Sequence, residues 1–147
     1  MESYKDVVTI IDLIESKPSI KRENKNNSCT LVQFTRTDDL WLFEFIEKNI
    51  PEEYVLMDVF RGLKYIKGDF MSLHNDGDYA HASLSGNMLL NDNFEGGEFV
   101  LNGSVVQSAI GNIFTFGRFV EHEVKVVKSG IRYSIHFHLM KKKNTLI

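Results

Sequence analysis

The chain has 147 residues, of which 43% are hydrophobic and 25% charged, and this suits one globular domain with a substantial core. Its net charge of −3 at pH 7 argues against a general nucleic-acid binder or a membrane-surface protein. Cys29 is the only cysteine, which excludes an internal disulfide and favours a reducing compartment. The N-terminal segment lacks a signal-peptide profile, and no apolar run approaches the ~18 residues of a membrane span. We therefore expect a soluble, cytoplasmic protein with a single domain over residues 1–147 and a core from about 54 to 140.

The first third of the chain contains the predicted helices. Tyr4–Glu15 carries apolar residues at spacings compatible with a helix, although its Val and Ile content leaves a strand open. Ser19–Ser28 is polar throughout and is typical of an exposed loop. Asp38 or Asp39 is expected to cap a second helix that ends at Asn49, just before a proline.

From residue 54 onward, short alternating apolar runs are separated by Gly, Asn and Asp. The predicted strands are Val55–Ile66, Ser83–Leu90, Glu98–Leu101, Val105–Ala109, Asn112–Phe116, Glu123–Val127 and Ile131–Met140. The turn signals between them are Gly68, Asn75–Asp78, Asn91–Gly97, Asn102–Gly103, Gly111 and Ser129–Gly130. Many short strands at this spacing predict a mainly β, antiparallel, jelly-roll-like core with one or two N-terminal helices laid against it.

A candidate metal motif lies between two of these strands. In a strand, residues two apart point to the same face, so His74 and Asp76 are expected to offer a nitrogen and an oxygen to one ion. A second histidine would complete the two-histidine, one-carboxylate triad typical of oxygen-activating Fe(II). His122 is the candidate, reaching the same cavity from the strand beside the last one, across the Lys128–Gly130 turn. Separately, each residue is weak evidence, because His-x-Asp is common by chance and a lone histidine is more often structural.

The last predicted strand has two contrasting faces. Its odd positions from Ile131 to Leu139 are apolar, whereas its even positions are Arg132, Ser134, His136 and His138. A solvated outer face is one interpretation, and a face that lines a polar cavity is the other. An arginine followed two residues later by a hydroxyl suits a carboxylate, because the guanidinium binds it bidentately while the serine donates a further hydrogen bond.

Five segments stand in a recognisable order over residues from about 60 to 140: Tyr65 to Gly68, His74 to Asp76, Leu90 to Glu98, His122, and Gly130 to Ser134. Together they resemble the prolyl-4-hydroxylase-like branch of the 2-oxoglutarate/Fe(II) dioxygenases. The resemblance implies a double-stranded β-helix. It also implies a hydroxylase that uses O₂, converts 2-oxoglutarate to succinate and CO₂, and takes ascorbate as a reductant.

The resemblance also implies roles for individual residues. His74, Asp76 and His122 would be the iron ligands, and no catalytic residue is expected beyond the metal site. Arg132 would pair with the distal carboxylate of 2-oxoglutarate, assisted by Ser134.

Further positions in the pocket follow the family pattern or depart from it. Tyr65 matches a tyrosine whose hydroxyl approaches the cosubstrate, with a core aromatic as the alternative, and Ser85 matches a cavity residue. Leu89 stands near a position where the family often has a tyrosine hydroxyl, so fewer cosubstrate contacts are expected. His138 replaces a tryptophan that lines the pocket, so peptidyl-proline specificity does not transfer simply. His81 is interpreted as a surface residue near enough to approach substrate.

Three classes of function remain open from the sequence. The first is a hydroxylase of a peptide, with prolyl residues as the best-known target, or of a small amino-acid-like molecule. The second is an inactive binding module that retains the fold and metal, and the third is a cupin-like metal protein without an oxo acid. The Arg132 and Ser134 pair argues against the third class, and Asp76 argues against a halogenase because it occupies the position that a halide would need.

Overall fold

The computed structural model describes residues 4–77 and 82–143, so the prediction for His81 lies outside the described residues. The helices are α1 (Tyr4–Ser16) and α2 (Leu40–Lys48). The strands are β1 (Ser19–Glu23), β2 (Asn27–Thr35), β3 (Tyr54–Leu56), β4 (Val59–Tyr65), β5 (Phe70–His74), β6 (Leu84–Leu89), β7 (Phe94–Gly96), β8 (Phe99–Leu101), β9 (Ser104–Val105), β10 (Ile113–Gly117), β11 (His122–Val124), β12 (Val127–Gly130) and β13 (Arg132–Lys141). Within the described ranges, neither helix has the length and apolar character to cross a bilayer.

The strands form one long antiparallel sheet that curls into a half-barrel. Its order is β10-β6-β13-β4-β2-β5-β11-β8-β9, with β1 added to β2 and β3 added to β13, while β12 and β7 form a separate pair. The curl occurs along β2, because Asn27 and Ser28 pair with β5 whereas the residues from Thr30 onward pair with β4. The predicted mainly β, antiparallel architecture with two N-terminal helices is confirmed.

Helix α1 resolves the alternative that the sequence left open at the N-terminus. Val7, Ile10 and Ile14 are buried, which is the i, i+3, i+7 spacing of one helical face, while Thr9 and Asp12 are exposed. This face and the apolar face of α2 cover the outside of the sheet. The shared core also contains Phe34, Phe60, Ile135, Phe137 and Leu139.

The prediction that Ser19–Ser28 forms an exposed loop was wrong, because this segment contains β1 and the start of β2. The two strands form a hairpin in which the Asn24 side chain accepts hydrogen bonds from the backbone N–H groups of Asn26 and Asn27, at 2.8 and 3.0 Å. Such an asparagine replaces backbone partners within the turn. An edge strand with four of its five residues exposed shows no apolar alternation, so its sequence looks like a loop.

Helix α2 starts where the sequence predicted, but Asp39 acts differently from a standard cap. Its side chain makes no hydrogen bond to the helix. Instead, the carboxylate accepts the backbone N–H of Thr35 at 3.0 Å and pairs with Lys17 at 3.1 Å. Asp39 therefore ties the helix start to β2 and to the residue after α1.

Several strand boundaries differ from the prediction. Val55–Ile66 divides into β3 and β4, Glu123–Val127 divides into β11 and β12, and Val105–Ala109 is mostly not a strand. The strands β2, β5 and β7 were missed. Gly130 belongs to β12 rather than to a turn; a Cβ there would lie 2.7 Å from the Asn93 carbonyl oxygen, and its φ is +77°. Glycine is thus required by a close strand contact, which the sequence presents as a turn signal.

Candidate metal centre

The inside of the half-barrel contains a cavity of about 510 Å³. Its floor is formed by the inward faces of β4, β6 and β13, and the opposite wall by residues of β5, β8 and β11. Phe99, Phe116 and Val124 are among the buried residues that pack between the layers. Such a concave site with apolar walls and a few polar groups is typical of a small-molecule site.

His74 and His122 meet across two paired strands. They are direct partners in the β5–β11 register, and their ring centroids lie 4.3 Å apart. The prediction that His122 comes from the strand beside the last one was wrong, because β11 pairs with β5 and β8 and not with β13. The histidine nevertheless faces the predicted cavity, since the curl of the sheet brings β11 opposite β13.

Asp76 reaches the two histidines from a loop rather than from a strand. Strand β5 ends at His74, so the expectation that both residues share one strand face was wrong. The backbone N–H groups of Asp76 and Gly77 donate to the Arg118 carbonyl oxygen at 2.9 and 3.0 Å, and this fixes the loop. Asp76 Oδ1 consequently lies 3.6 Å from His74 Nε2 and 3.4 Å from His122 Nε2.

The second ring nitrogen of each histidine is bound to the backbone. His74 Nδ1 lies 2.8 Å from the Ser72 carbonyl oxygen, and His122 Nδ1 lies 3.0 Å from that of Val120. These contacts suit rings that carry a proton on Nδ1, and Nε2 of such a ring can bind a metal ion, which is the usual arrangement of metal-binding histidines. His122 Nε2 is buried and has no hydrogen-bond partner among the described residues.

The other oxygen of Asp76 is held by the floor of the cavity. Ser85 donates a hydrogen bond to Oδ2, and His136 Nε2 lies 3.3 Å from the same oxygen. Burial raises the pKa of Asp76, but the contacts with His122, His136 and His74 outweigh it and hold the pKa well below its usual range. The carboxylate is therefore ionised, with Oδ1 turned towards the two histidines.

These three residues fit a divalent metal ion. Their ligand atoms all lie within 4.8 Å of one another. Two imidazole nitrogens and one carboxylate oxygen form the donor set of non-haem Fe(II) sites. A buried nitrogen without a partner costs free energy, and a metal ion bound there removes that cost.

Arg132 lies elsewhere on the floor of the same cavity. It is 6% exposed, its Nε donates to the Gly97 carbonyl oxygen at 2.9 Å, and its Nη1 donates to Ser134 Oγ at 3.1 Å. Burial lowers the pKa of Arg132, although an arginine remains charged in proteins. Over residues 4–77 and 82–143, no acidic side chain pairs with this guanidinium. Arg132 is thus a buried cation beside a hydroxyl donor, which suits an external carboxylate.

Tyr65 forms part of the wall beside Arg132. The two residues are cross-strand partners, and the guanidinium carbon lies 5.5 Å from the centre of the tyrosine ring. The Tyr65 hydroxyl donates to the Met71 sulfur at 4.0 Å, and burial raises the pKa of this phenol. Tyr65 therefore lies beside Arg132, at the end of the cavity where the cosubstrate is predicted to bind.

Three other predicted pocket residues line the cavity, whereas Ser85 is fully buried and reaches the site only through its contact with Asp76. Leu89 is the cross-strand partner of Ser134 and adds an apolar surface beside it. His136 and His138 follow on the same face of β13, with their rings perpendicular and 4.9 Å apart. His138 Nδ1 lies 3.5 Å from Ser85 Oγ, and burial lowers the pKa of His138 to about 4.

Two arginines that line the cavity were not recognised in the sequence as pocket residues. Arg61 on β4 is the cross-strand partner of His136, and Arg22 on β1 is the partner of Cys29. Arg61 was detectable, because it stands four residues before Tyr65 and shares its face of the strand. Arg22 was not, because the segment that carries it was interpreted as a loop.

Comparison with known proteins identifies the fold. No protein-family model and no curated protein matches the chain in sequence. Among solved structures, an oxidoreductase of the 2OG-Fe(II) oxygenase family from Burkholderia pseudomallei matches 96% of this chain and 81% of its own, with a TM-score of 0.75 and 18% identity. A prolyl-4-hydroxylase from Pseudomonas putida matches 95% of this chain and 86% of its own, with a TM-score of 0.71 and 16% identity. A Trichoplax adhaerens prolyl hydroxylase in complex with a hypoxia inducible factor peptide fragment matches 94% of this chain and 78% of its own, with a TM-score of 0.73 and 16% identity. The resemblance found in the sequence is confirmed at the level of the fold, and the chain has the double-stranded β-helix of the 2OG-Fe(II) oxygenases.

Proposed function

We propose that the chain is an Fe(II)- and 2-oxoglutarate-dependent dioxygenase that hydroxylates a peptide, such as a prolyl peptide, or a small amino-acid-like substrate. The observation that carries the proposal is that one cavity contains a buried nitrogen able to bind a metal ion and a buried cation able to bind a carboxylate. Among the described residues, His122 Nε2 is a buried nitrogen without a hydrogen bond, 3.4 Å from the Asp76 carboxylate, and Arg132 is a buried cation without a counter-ion. A metal ion would bind the His122 nitrogen, and a carboxylate would pair with the Arg132 guanidinium. 2-Oxoglutarate suits both, because it has a chelating 2-oxo acid at one end and a free carboxylate at the other.

The chain's own residues would bind and orient the reactants. His74, Asp76 and His122 would hold the iron, which when bound supplies the activation of O₂ for the hydroxylation. Ser85 keeps one carboxylate oxygen of Asp76 turned away from the ion, so the other oxygen is free to bind it. Arg132 and Ser134 would bind the distal carboxylate of 2-oxoglutarate.

The walls of the cavity would exclude water from this chemistry. Leu89 and Phe99 line it, and Tyr65 is fully buried beneath Arg132. In a site shielded from water, the contact between the guanidinium and a carboxylate is stronger than on the surface. We expect the Tyr65 hydroxyl to exchange its weak contact with Met71 for one with the cosubstrate.

Support for the substrate class is coarser. One structural neighbour holds a peptide fragment, and another is named a prolyl-4-hydroxylase, which favours a peptide. His138 stands where that branch has a tryptophan, so peptidyl-proline specificity does not transfer simply and a small amino-acid-like substrate stays an alternative. The buried, unpaired thiol of Cys29 agrees with a reducing, cytoplasmic compartment, and we expect the chain to act as one domain. Ascorbate would maintain the reduced metal.

The test is conversion of 2-oxoglutarate to succinate by the purified protein, measured with and without Fe(II) and O₂. We expect succinate only when both are present, and none from His122→Ala under the same conditions. Binding of metal and 2-oxoglutarate without turnover, across a panel of peptides and amino acids, would indicate a binding module. Metal binding without 2-oxoglutarate binding would indicate a cupin-like protein.

A further inference from the structure

Strand β13 carries two histidines that the proposed iron site does not use. His136 and His138 are two residues apart, so their side chains lie on the same face of the strand, and both line the cavity. Both residues are partly buried, and their rings are perpendicular with centroids 4.9 Å apart. Two imidazoles at this spacing on one strand face can bind a common metal ion.

The carboxylate of Asp76 lies between this pair and the proposed iron ligands. His74 and His122 lie near its Oδ1, whereas His136 Nε2 lies 3.3 Å from its Oδ2. One ligand atom each from Asp76, His136 and His138 lies within 4.8 Å of the other two, and the same limit holds for the first set of three. Asp76 is thus shared by two sets of candidate metal ligands, with a different oxygen facing each set.

The distance from His136 to Asp76 fits two ligands of one ion better than a hydrogen bond. A charge-assisted N–H···O bond to a carboxylate is about 2.7–2.9 Å long. Zinc binds imidazole nitrogen and carboxylate oxygen at about 2.0–2.2 Å in a tetrahedral arrangement, which places two such ligands about 3.4 Å apart. The observed 3.3 Å agrees with the second value. The distances from Asp76 Oδ1 to His74 and His122, 3.6 and 3.4 Å, agree with it as well.

The second set of ligands should bind an ion more weakly than the first. Ser85 donates a hydrogen bond to Oδ2, and this draws charge from the oxygen that faces His136. Two cations that share one carboxylate also repel each other. Zn(II) binds nitrogen and oxygen sites more tightly than Fe(II) does, so zinc is the ion that would show a weak second position.

We propose that Asp76, His136 and His138 bind a second divalent metal ion of the zinc class, and that Asp76 bridges it to the ion held by His74 and His122. The proposal goes beyond the proposed function, because it requires neither 2-oxoglutarate nor turnover. Three protein ligands leave a tetrahedral ion one further position, which faces the cavity.

The test is the number of zinc ions that the metal-free protein binds. Zn(II) is titrated against a chromogenic chelator, and the bound metal is counted by elemental analysis after gel filtration. We expect two ions per wild-type chain, the second at least about 10-fold weaker than the first because the two cations repel each other. Co(II) serves as a second probe, because its visible absorption changes as each position fills.

Variants identify the residues that hold the second ion. His138→Phe keeps a ring in the cavity but has no ligand atom, so it should bind one ion with the affinity of the tighter wild-type position. His136→Phe should do the same, and it replaces His138→Phe if circular dichroism shows that variant to be unfolded. Asn87→Ala is the matched control, because Asn87 is the cross-strand partner of His136, lines the cavity and lies outside the ligand set. It should retain both ions.

Three results would overturn the inference. They are a single zinc ion in the wild-type chain, a second ion that persists in both His136→Phe and His138→Phe, and loss of the second ion in Asn87→Ala. Failure of the proposed function is a separate result. A wild-type protein that binds two ions but never converts 2-oxoglutarate would contradict the dioxygenase and leave the second metal position standing.

Discussion

Replacing Arg132 should weaken 2-oxoglutarate binding while leaving metal binding almost unchanged. The side chain is 6% exposed and orients its guanidinium through Gly97 and Ser134, so the small energies of surface ion pairs do not apply. In Arg132→Ala, the distal carboxylate of the cosubstrate would be buried without its cation. Truncating one partner of such a pair costs about 2–5 kcal/mol, or roughly 30- to 4000-fold in the dissociation constant.

Arg132→Lys should lie between wild type and Arg132→Ala. Lysine keeps the charge but lacks the planar fork, so it cannot contact Gly97, Ser134 and a carboxylate together. The assay is calorimetric titration of 2-oxoglutarate into metal-loaded protein without O₂, with Fe(II) affinity measured in parallel. Circular dichroism controls for folding, because Arg132→Ala also leaves the Gly97 carbonyl without its donor.

Unchanged 2-oxoglutarate affinity in a folded Arg132→Ala variant would refute the assignment. The anchor would then be another cation of the cavity, Arg22 or Arg61. A large loss of Fe(II) affinity in the same variant would also count against the reasoning, because Arg132 is not a ligand.

Three further predictions concern the metal centre and the core. His122→Ala should reduce Fe(II) affinity by more than the roughly 10- to 100-fold typical of outer-shell partners, with the far-UV circular dichroism unchanged; retained affinity would remove His122 from the ligand set. Ser85→Ala should fall within that 10- to 100-fold range because the metal-binding carboxylate loses its hydrogen bond, and an effect below twofold would show that the bond does not orient it. Gly86→Ala should lower the free energy of unfolding by about 1–3 kcal/mol, because the new Cβ overlaps the fully buried Phe137 ring. Gly117→Ala, whose Cβ meets only ordinary contacts, is the control in the same denaturant titration, and equal stabilities of the two variants would contradict the overlap.

The residues of the candidate metal centre were predicted from the order of motifs along the chain, because His74 and Asp76 form a local pair whereas His122 stands alone. The physical route to them was only partly correct. His74 and Asp76 were paired by strand periodicity, yet Asp76 is placed by the backbone hydrogen bonds of a loop to Arg118. His122 was assigned to the wrong neighbouring strand, because a sequence shows which residues are polar but not which strands pair after the sheet curls.

The even face of the last strand was predicted more completely. Alternation over Ile131–Leu139 fixes the two faces without knowledge of any neighbour, and the structure places the even residues in the cavity. By contrast, Arg22 required the β1–β2 hairpin, whose edge strand lacks apolar alternation. Its position depends on the pairing of Arg22 with Cys29, a contact that composition and periodicity do not encode.

Strand β13 has a consequence for how this protein could be redesigned. Its odd residues Ile135, Phe137 and Leu139 lie fully buried against the helices, while its even residues meet the contents of the cavity. Residues that would determine ligand preference therefore alternate along one strand with residues that stabilise the fold. Libraries restricted to positions 136 and 138 should change selectivity at little expense in thermal stability, whereas libraries at 135 and 137 should mostly yield poorly folded variants. A single degenerate oligonucleotide over this strand would sample both properties independently.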